Sequence, residues 1–137
     1  MKDCIFCKII KGEIPSYKIY EDEHTLAFLD IAQDCYGHTL VIPKNHCTNV
    51  LDCSEDILAK VIATVKKVAN HYVNNCGFNG VNILNASGEQ AQQSVYHLHF
   101  HILPRKDKNE YDAFPNLPGE ACSLAEQLKK LKINDKK

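Results

Sequence analysis

The sequence carries almost no net charge: 16 Lys and Arg stand against 17 Asp and Glu, leaving a formal charge of −1. That balance gives no broad positive field, which excludes the electrostatic footprint of a nucleic-acid backbone binder or of a protein held on an anionic membrane. Any phosphate chemistry must therefore use local donors. No apolar run approaches the roughly 18 residues of a membrane span, and Met1-Lys2-Asp3-Cys4 has no leader-like apolar stretch. The expected location is cytoplasmic. An even set of cysteines is lacking too. The seven present, Cys4, Cys7, Cys35, Cys47, Cys53, Cys76 and Cys122, cannot all pair, which argues against an extracellular disulfide framework. Repeats and low-complexity tracts are absent, and 137 residues fit one domain, here expected over 1–137.

What is present alternates between two periods. Residues 5–10, Ile-Phe-Cys-Lys-Ile-Ile, suit a short helical turn that Gly12 and Pro15 would end. Tyr17 to Tyr20, Thr25 to Leu29 and Thr39 to Ile42 read as antiparallel strands, with Glu21-Asp22-Glu23 as the first turn. Between 55 and 74, Ile57, Leu58, Val61, Ile62, Val65, Val68, Ala69 and Tyr72 mark one face of a long helix. Asp52 or Ser54 would cap it, and Asn74-Asn75-Cys76-Gly77 would stop it. Strands follow at Asn79 to Leu84 and Val95 to Leu103, and a short amphipathic helix at Cys122 to Leu131 precedes a tail, Asn134 to Lys137, expected to fray. The order β-β-β-α-β-β predicts an α+β fold: a five-stranded antiparallel sheet with one long helix across a face and short terminal helices.

The chemistry sits in Gln93-Ser94-Val95-Tyr96-His97-Leu98-His99-Phe100-His101-Ile102-Leu103. On a strand, alternation puts His97, His99 and His101 on one face, about 6.6 Å between neighbours, and Leu98, Phe100 and Ile102 on the core side. Three imidazoles side by side repel one another when charged, so the pattern points to catalysis or to a metal site, and a His-only metal site stays open. A neutral imidazole is a good nucleophile toward phosphorus, and flanking donors such as Ser94, His101 and backbone amides could stabilise the charged phosphate.

The stretch His97 to Leu103 matches the H-φ-H-φ-H-φ-φ signature of the histidine-triad (HIT) family. Cys4 to Ile10, Gly12 to Ser16, Leu26 to Ile31 and Gly37 to Lys44 with His46 resemble, in order, its branch of histidine triad nucleotide-binding proteins. The resemblance spans residues 3–105, with 106–137 as a C-terminal extension. It implies a HIT-like fold, a homodimer with joined sheets, and hydrolysis of purine nucleoside phosphoramidates at the α-phosphorus through a nucleotidyl-His99 intermediate. Dinucleoside polyphosphate hydrolysis and nucleotidyl transfer share the same attack. A non-catalytic nucleotide- or partner-binding scaffold is the reading from another class, and a purely metal-binding module is a third.

Residue by residue, the resemblance implies that a backbone carbonyl holds the other ring nitrogen of His99, that His101 and Ser94 contact the phosphate, and that His38 supports the site. Gln93 becomes a phosphate or leaving-group contact, and Asp30 the acceptor of both ribose hydroxyls. Ile5, Phe6, Ile9, Phe28, Ile31 and Leu40 match the apolar walls around the base of a nucleotide such as AMP. The loop departs from the branch: members carry an asparagine seven residues before the glutamine, where this chain has Ala86, while Asn85 lies eight before and Gln92 replaces a glycine. Asn85 is thus a phosphate contact shifted by one residue or none at all. Cys4, Cys7, His46 and His97 match the ligands of a structural zinc ion in some members; catalysis requires no cofactor.

Overall fold

The computed structural model describes residues 3–134. Of the tail expected to fray, 135–137 lie outside the described residues. In chain order the elements are α1 (Ile5–Ile10), β1 (Lys18–Glu21), β2 (Thr25–Leu29), β3 (Thr39–Pro43), α2 (Glu55–Asn75), β4 (Gly80–Leu84), a 3-10 turn at Glu89–Ala91, β5 (Phe100–Arg105) and α3 (Leu124–Leu131). The strands form one antiparallel sheet in the order β1-β2-β3-β5-β4, so β5, from the end of the motif, lies between β3 and β4.

The long helix starts where Ser54 Oγ accepts the Ile57 N–H at 3.2 Å, with Glu55 and Asp56 in its positive first turn. Ser54 is the cap; Asp52 instead takes the amides of Thr48 and Asn49 at 2.9–3.1 Å and fixes the preceding turn. The helix stops at Gly77, whose φ of +85° lets the Phe78 N–H turn back to the Tyr72 carbonyl at 3.3 Å. Val61, Val65, Val68 and Tyr72 face Ala27, Val41, Phe78 and Ile102 across one side of the sheet, while Ile62 of the expected apolar face is exposed. Two hydroxyl contacts lock this layer, Thr25 to Thr64 and Thr39 to Tyr72, both 2.6 Å.

The opposite side of the sheet carries the site. Leu26, Phe28, Leu40 and Ile42 alternate with the helix-facing residues of β2 and β3, and Phe6 and Ile9 of α1 pack on them. With six residues, α1 is too short to persist alone, so burial of its apolar side chains holds it.

β5 begins five residues later than the spacing predicts: 95–99 are irregular and regular pairing starts at Phe100. Side chains and a neighbouring loop claim the backbone that a ladder would use. Leu98 N–H donates to the Cys47 carbonyl at 2.8 Å, and the His97 carbonyl accepts from the His99 ring at 2.8 Å. The expected loop 85–94 also contains the 3-10 turn, and α3 starts at Leu124 behind a Ser123 cap rather than at Cys122. No described helix is long and apolar enough to cross a membrane.

Candidate functional site

His99 is buried, and its Nδ1 lies 2.8 Å from the His97 carbonyl oxygen. A carbonyl only accepts, so Nδ1 bears the proton and Nε2 is left with its lone pair. Burial holds this imidazole below the ordinary histidine range, keeping it neutral near pH 7. Phe6 meets the ring edge-on at 5.2 Å.

His101 lies next to His99, ring centres 5.0 Å apart, and its Nδ1 is 2.9 Å from His38 Nε2. Asp30 Oδ2 stands 3.7 Å from that same His38 nitrogen, and Asp30 Oδ1 accepts the Ala32 N–H at 2.9 Å. A carboxylate favours a facing donor, so the proton belongs on His38 Nε2, which donates to His101 Nδ1. His38 Nδ1, buried and without a hydrogen-bond partner among the described residues, is then the bare nitrogen. The reverse assignment would bury an unmatched N–H and turn a lone pair toward Asp30. The consequence falls on His101: its Nε2 carries hydrogen. Burial first, then the charges of His99 and His38, push His101 down to about 4. Two adjacent neutral imidazoles are thus preset to opposite tasks, one with a lone pair and one with a donor.

Gly37 makes this possible. Its φ is +79°, and a Cβ there would stand 3.0 Å from Pro104 Cγ, so the 30–38 loop closes directly on β5. Asp30 N–H to the His38 carbonyl, at 2.9 Å, pins the two ends of the loop.

The first histidine of the motif faces elsewhere. His97 is fully buried; its Nε2 is 2.9 Å from the Pro43 carbonyl, and its Nδ1 is 3.4 Å from Cys4 Sγ, 3.6 Å from Cys7 Sγ and 3.1 Å from His46 Nδ1. Cys7 Sγ is 3.3 Å from His46 Nδ1. An ion with bonds of about 2.3 Å to sulfur and 2.0–2.1 Å to nitrogen sets tetrahedral ligands about 3.4–3.8 Å apart; the four ligand separations given come within a few tenths of an ångström of that span, and all four ligand atoms lie within 4.8 Å of one another. The donor set fits chemically as well. Burial pushes the Cys7 thiol up and His97 down to about 4, which favours neutral imidazole but disfavours thiolate; a divalent cation reconciles the two. Pro43 fixes the His97 tautomer from behind, as outer partners of metal-bound histidines do. Among the described residues, no possible metal-binding group contains all three motif histidines, which removes the His-only site.

The remaining expected residues divide. Phe6, Ile9, Phe28 and Leu40 form one buried apolar patch on the histidine side of the sheet, whereas Ile5 is 46% and Ile31 90% exposed and neither belongs to it. Asn85 donates its amide to the His99 carbonyl at 2.9 Å, bracing the backbone next to the nucleophile candidate. Gln93 is buried with both ends of its amide engaged, by Asn49 and Gly88 on oxygen and by Thr48 and Val95 on nitrogen. It therefore shapes the loop. Ser94 is exposed and lines a cavity of about 520 Å³ beside Cys4 and His46. His38 and His101 line another, of about 510 Å³, walled by Asp34, Cys35, Asn85, Tyr111 and Asp112. Sequence reading missed this wall: Asp34, Cys35, Tyr111 and Asp112 belong to no motif, and Tyr111 is positioned by Arg105, which lies 3.9 Å over its ring.

The HIT domain description matches residues 11–108. The chain belongs to the HIT family, in its branch of histidine triad nucleotide-binding proteins. Within that family it is a hydrolase. A Bacillus subtilis protein named "Protein hit" is 50% identical over 80% of this chain and 75% of its own. The adenosine 5′-monophosphoramidase hnt1 of Schizosaccharomyces pombe is 41% identical over 91% of this chain and 95% of its own. A zinc-bound histidine triad protein of Mycobacterium smegmatis superposes with a TM-score of 0.77 at 35% identity, covering 86% of this chain and 85% of its own.

Proposed function

We propose that the protein hydrolyses purine nucleoside 5′-phosphoramidates, His99 Nε2 attacking the α-phosphorus. The observation that carries this is the His99–His97 carbonyl bond, which leaves a bare, neutral, buried nitrogen beside a preset donor on His101. The P–N bond breaks as the new N–P bond forms. Water then cleaves the nucleotidyl-His99, yielding the monophosphate and free imidazole, and the amine departs with a proton that water ultimately supplies. His101 and Ser94 hold the phosphate oxygens, and His38 holds His101. Asp30 accepts the ribose hydroxyls; Phe6, Ile9, Phe28 and Leu40 receive the base, with Ile5 and Ile31 closing on it from the rim. The S. pombe relative's name agrees with an adenosine phosphoramidate as substrate.

Cys4, Cys7, His46 and His97 would hold a zinc ion, which would supply a closed four-ligand crosslink with no open position for substrate. The thiols of this set suit a reducing compartment, and we place the protein in the cytoplasm. The working form is a homodimer with the two sheets joined edge to edge: β4 is an outer strand of the sheet, and Ile83 and Leu84 on it are exposed.

The test is rapid-quench labelling with an adenosine phosphoramidate labelled at phosphorus, stopped in alkaline denaturant under single-turnover conditions. Wild type should carry acid-labile label that His99→Ala lacks. Product release by wild type with no labelled protein at any time would rule out the covalent route.

A further inference from the structure

We infer that the Cys4–Cys7–His46–His97 cluster and the nucleotide site form one coupled unit, in which metal bound to the cluster tightens nucleotide binding through Phe6 and His97. The inference rests on the reading of the site given under Proposed function.

Two physical links join the sites. The first runs through His97. Its ring belongs to the cluster while its backbone carbonyl, on the same residue, holds His99 Nδ1 at 2.8 Å. Fixing the His97 ring between the cluster and the Pro43 carbonyl fixes where that carbonyl points, and with it the tautomer and aim of His99. The second runs through α1. Cys4 caps this helix, its sulfur 3.4 Å from the Cys7 amide, and Cys7 lies in the first turn, so two of the four ligands belong to one short segment. Phe6 stands between them, and its ring touches His97 at 5.8 Å, His99 at 5.2 Å and Phe28 at 5.6 Å. Whatever holds Cys4 and Cys7 therefore also presses Phe6 against the nucleophile and against the apolar floor.

The segment needs that hold. α1 has six residues and buries only Phe6 and Ile9. Helices this short are unstable alone, so the position of Phe6 depends on tertiary anchors, and the cluster is the one at its N-terminal end. The cluster is also reachable: Cys4, Cys7 and His46 are only partly buried, and a cavity of about 520 Å³ reaches Cys4 and His46. An exchangeable ion that orders part of a binding site lowers the ordering cost left for the second ligand. Coupling of this kind is positive and reciprocal.

The experiment measures both halves of the linkage on the full chain. AMP binding is followed by calorimetry on zinc-loaded and chelator-stripped protein, with circular dichroism reporting the fold. Zinc affinity is measured by chelator competition with and without saturating AMP, starting from the loaded protein, so this half requires no stable stripped form. Zinc should tighten AMP about tenfold, within the range common for coupled sites, and AMP should tighten zinc by the same factor. Phe6→Leu retains all four ligands; it should take up zinc and show a coupling factor of less than threefold. Equal AMP affinity in loaded and stripped protein, with equal zinc affinity plus or minus AMP, would overturn the inference and leave the phosphoramidase reading intact. Failure to take up zinc would overturn it as well. A protein that takes up zinc but binds AMP in neither state would refute the reading of the nucleotide site itself, and the coupling with it.

Discussion

Replacing His38 by alanine removes the donor that assigns the tautomer of His101. In the native site His38 Nε2 gives its hydrogen to His101 Nδ1 at 2.9 Å, with Asp30 3.7 Å behind it. The alanine variant leaves His101 Nδ1 without that donor, beside the Asp30 carboxylate and the cavity that His38 and His101 line, so the ring can place its proton on either nitrogen, and only one form donates toward the phosphate. The loss is that of one neutral hydrogen bond to a buried acceptor, about 1–2 kcal/mol. It corresponds to a fall of about 5–30-fold in kcat/KM. Removing a nucleophile costs roughly 10⁴-fold or more, so the two roles separate cleanly. His38→Gln, whose amide can still donate, should recover part of the loss. The assay is steady-state cleavage of an adenosine phosphoramidate by wild type and by the His38→Ala, His38→Gln and His99→Ala variants. Activity of His38→Ala within twofold of wild type would refute the tautomer assignment. A loss as deep as that of His99→Ala would place His38 in the bond-making step instead.

Two further outcomes follow from the same geometry. His101 sits at about 4 in the folded chain against an ordinary 6.5, so between those values the unfolded chain binds more protons. Its contribution to stability is complete above about pH 6.5 and disappears as pH falls toward 4; urea midpoints measured from pH 4 to 8 should rise across that window, and a flat profile would contradict the buried neutral ring. Gly37→Ala places a Cβ at positive φ and 3.0 Å from Pro104 Cγ, which should cost about 1–2 kcal/mol in urea unfolding and reduce turnover through displacement of His38, whereas Gly12→Ala, with open space around the same atom, should cost less.

Much of the fold was legible because burial patterns repeat at fixed periods. β2, with the same limits, β3, longer by Pro43 alone, and the 21-residue α2 follow the sequence periodicity. The fifth strand did not, since period-two alternation continues through 95–99 although no ladder forms there. Alternation reports which side a residue faces; it is blind to a carbonyl diverted to an imidazole or an amide engaged by Cys47. The same limit explains Gln93, whose type suits phosphate contact but whose partners Thr48 and Asn49 come from a distant turn. Asn85 shows the reverse case: the sequence left its shifted position ambiguous, and only folding brings its amide to the His99 carbonyl. The aspartates and Tyr111 around the His101 cavity escaped because tertiary proximity, rather than spacing, gathers them.

Arg105 ends β5 four residues after His101, and its guanidinium holds Asn82 on one side and the carbonyls of Asp107, Lys108 and Tyr111 on the other. The downstream segment is thereby tethered to the strand that carries His101, yet it supplies only one wall of the adjoining cavity. Architecture of this kind works like a tool with an exchangeable jaw. Replacements between 106 and 114 can reshape what fits against His101 while the proton positions on His38, His99 and His101 stay untouched, because those depend on residues upstream of the tether. The wall beside His101 and the residues that set those proton positions thus sit on separate stretches of one short chain, free to diverge independently.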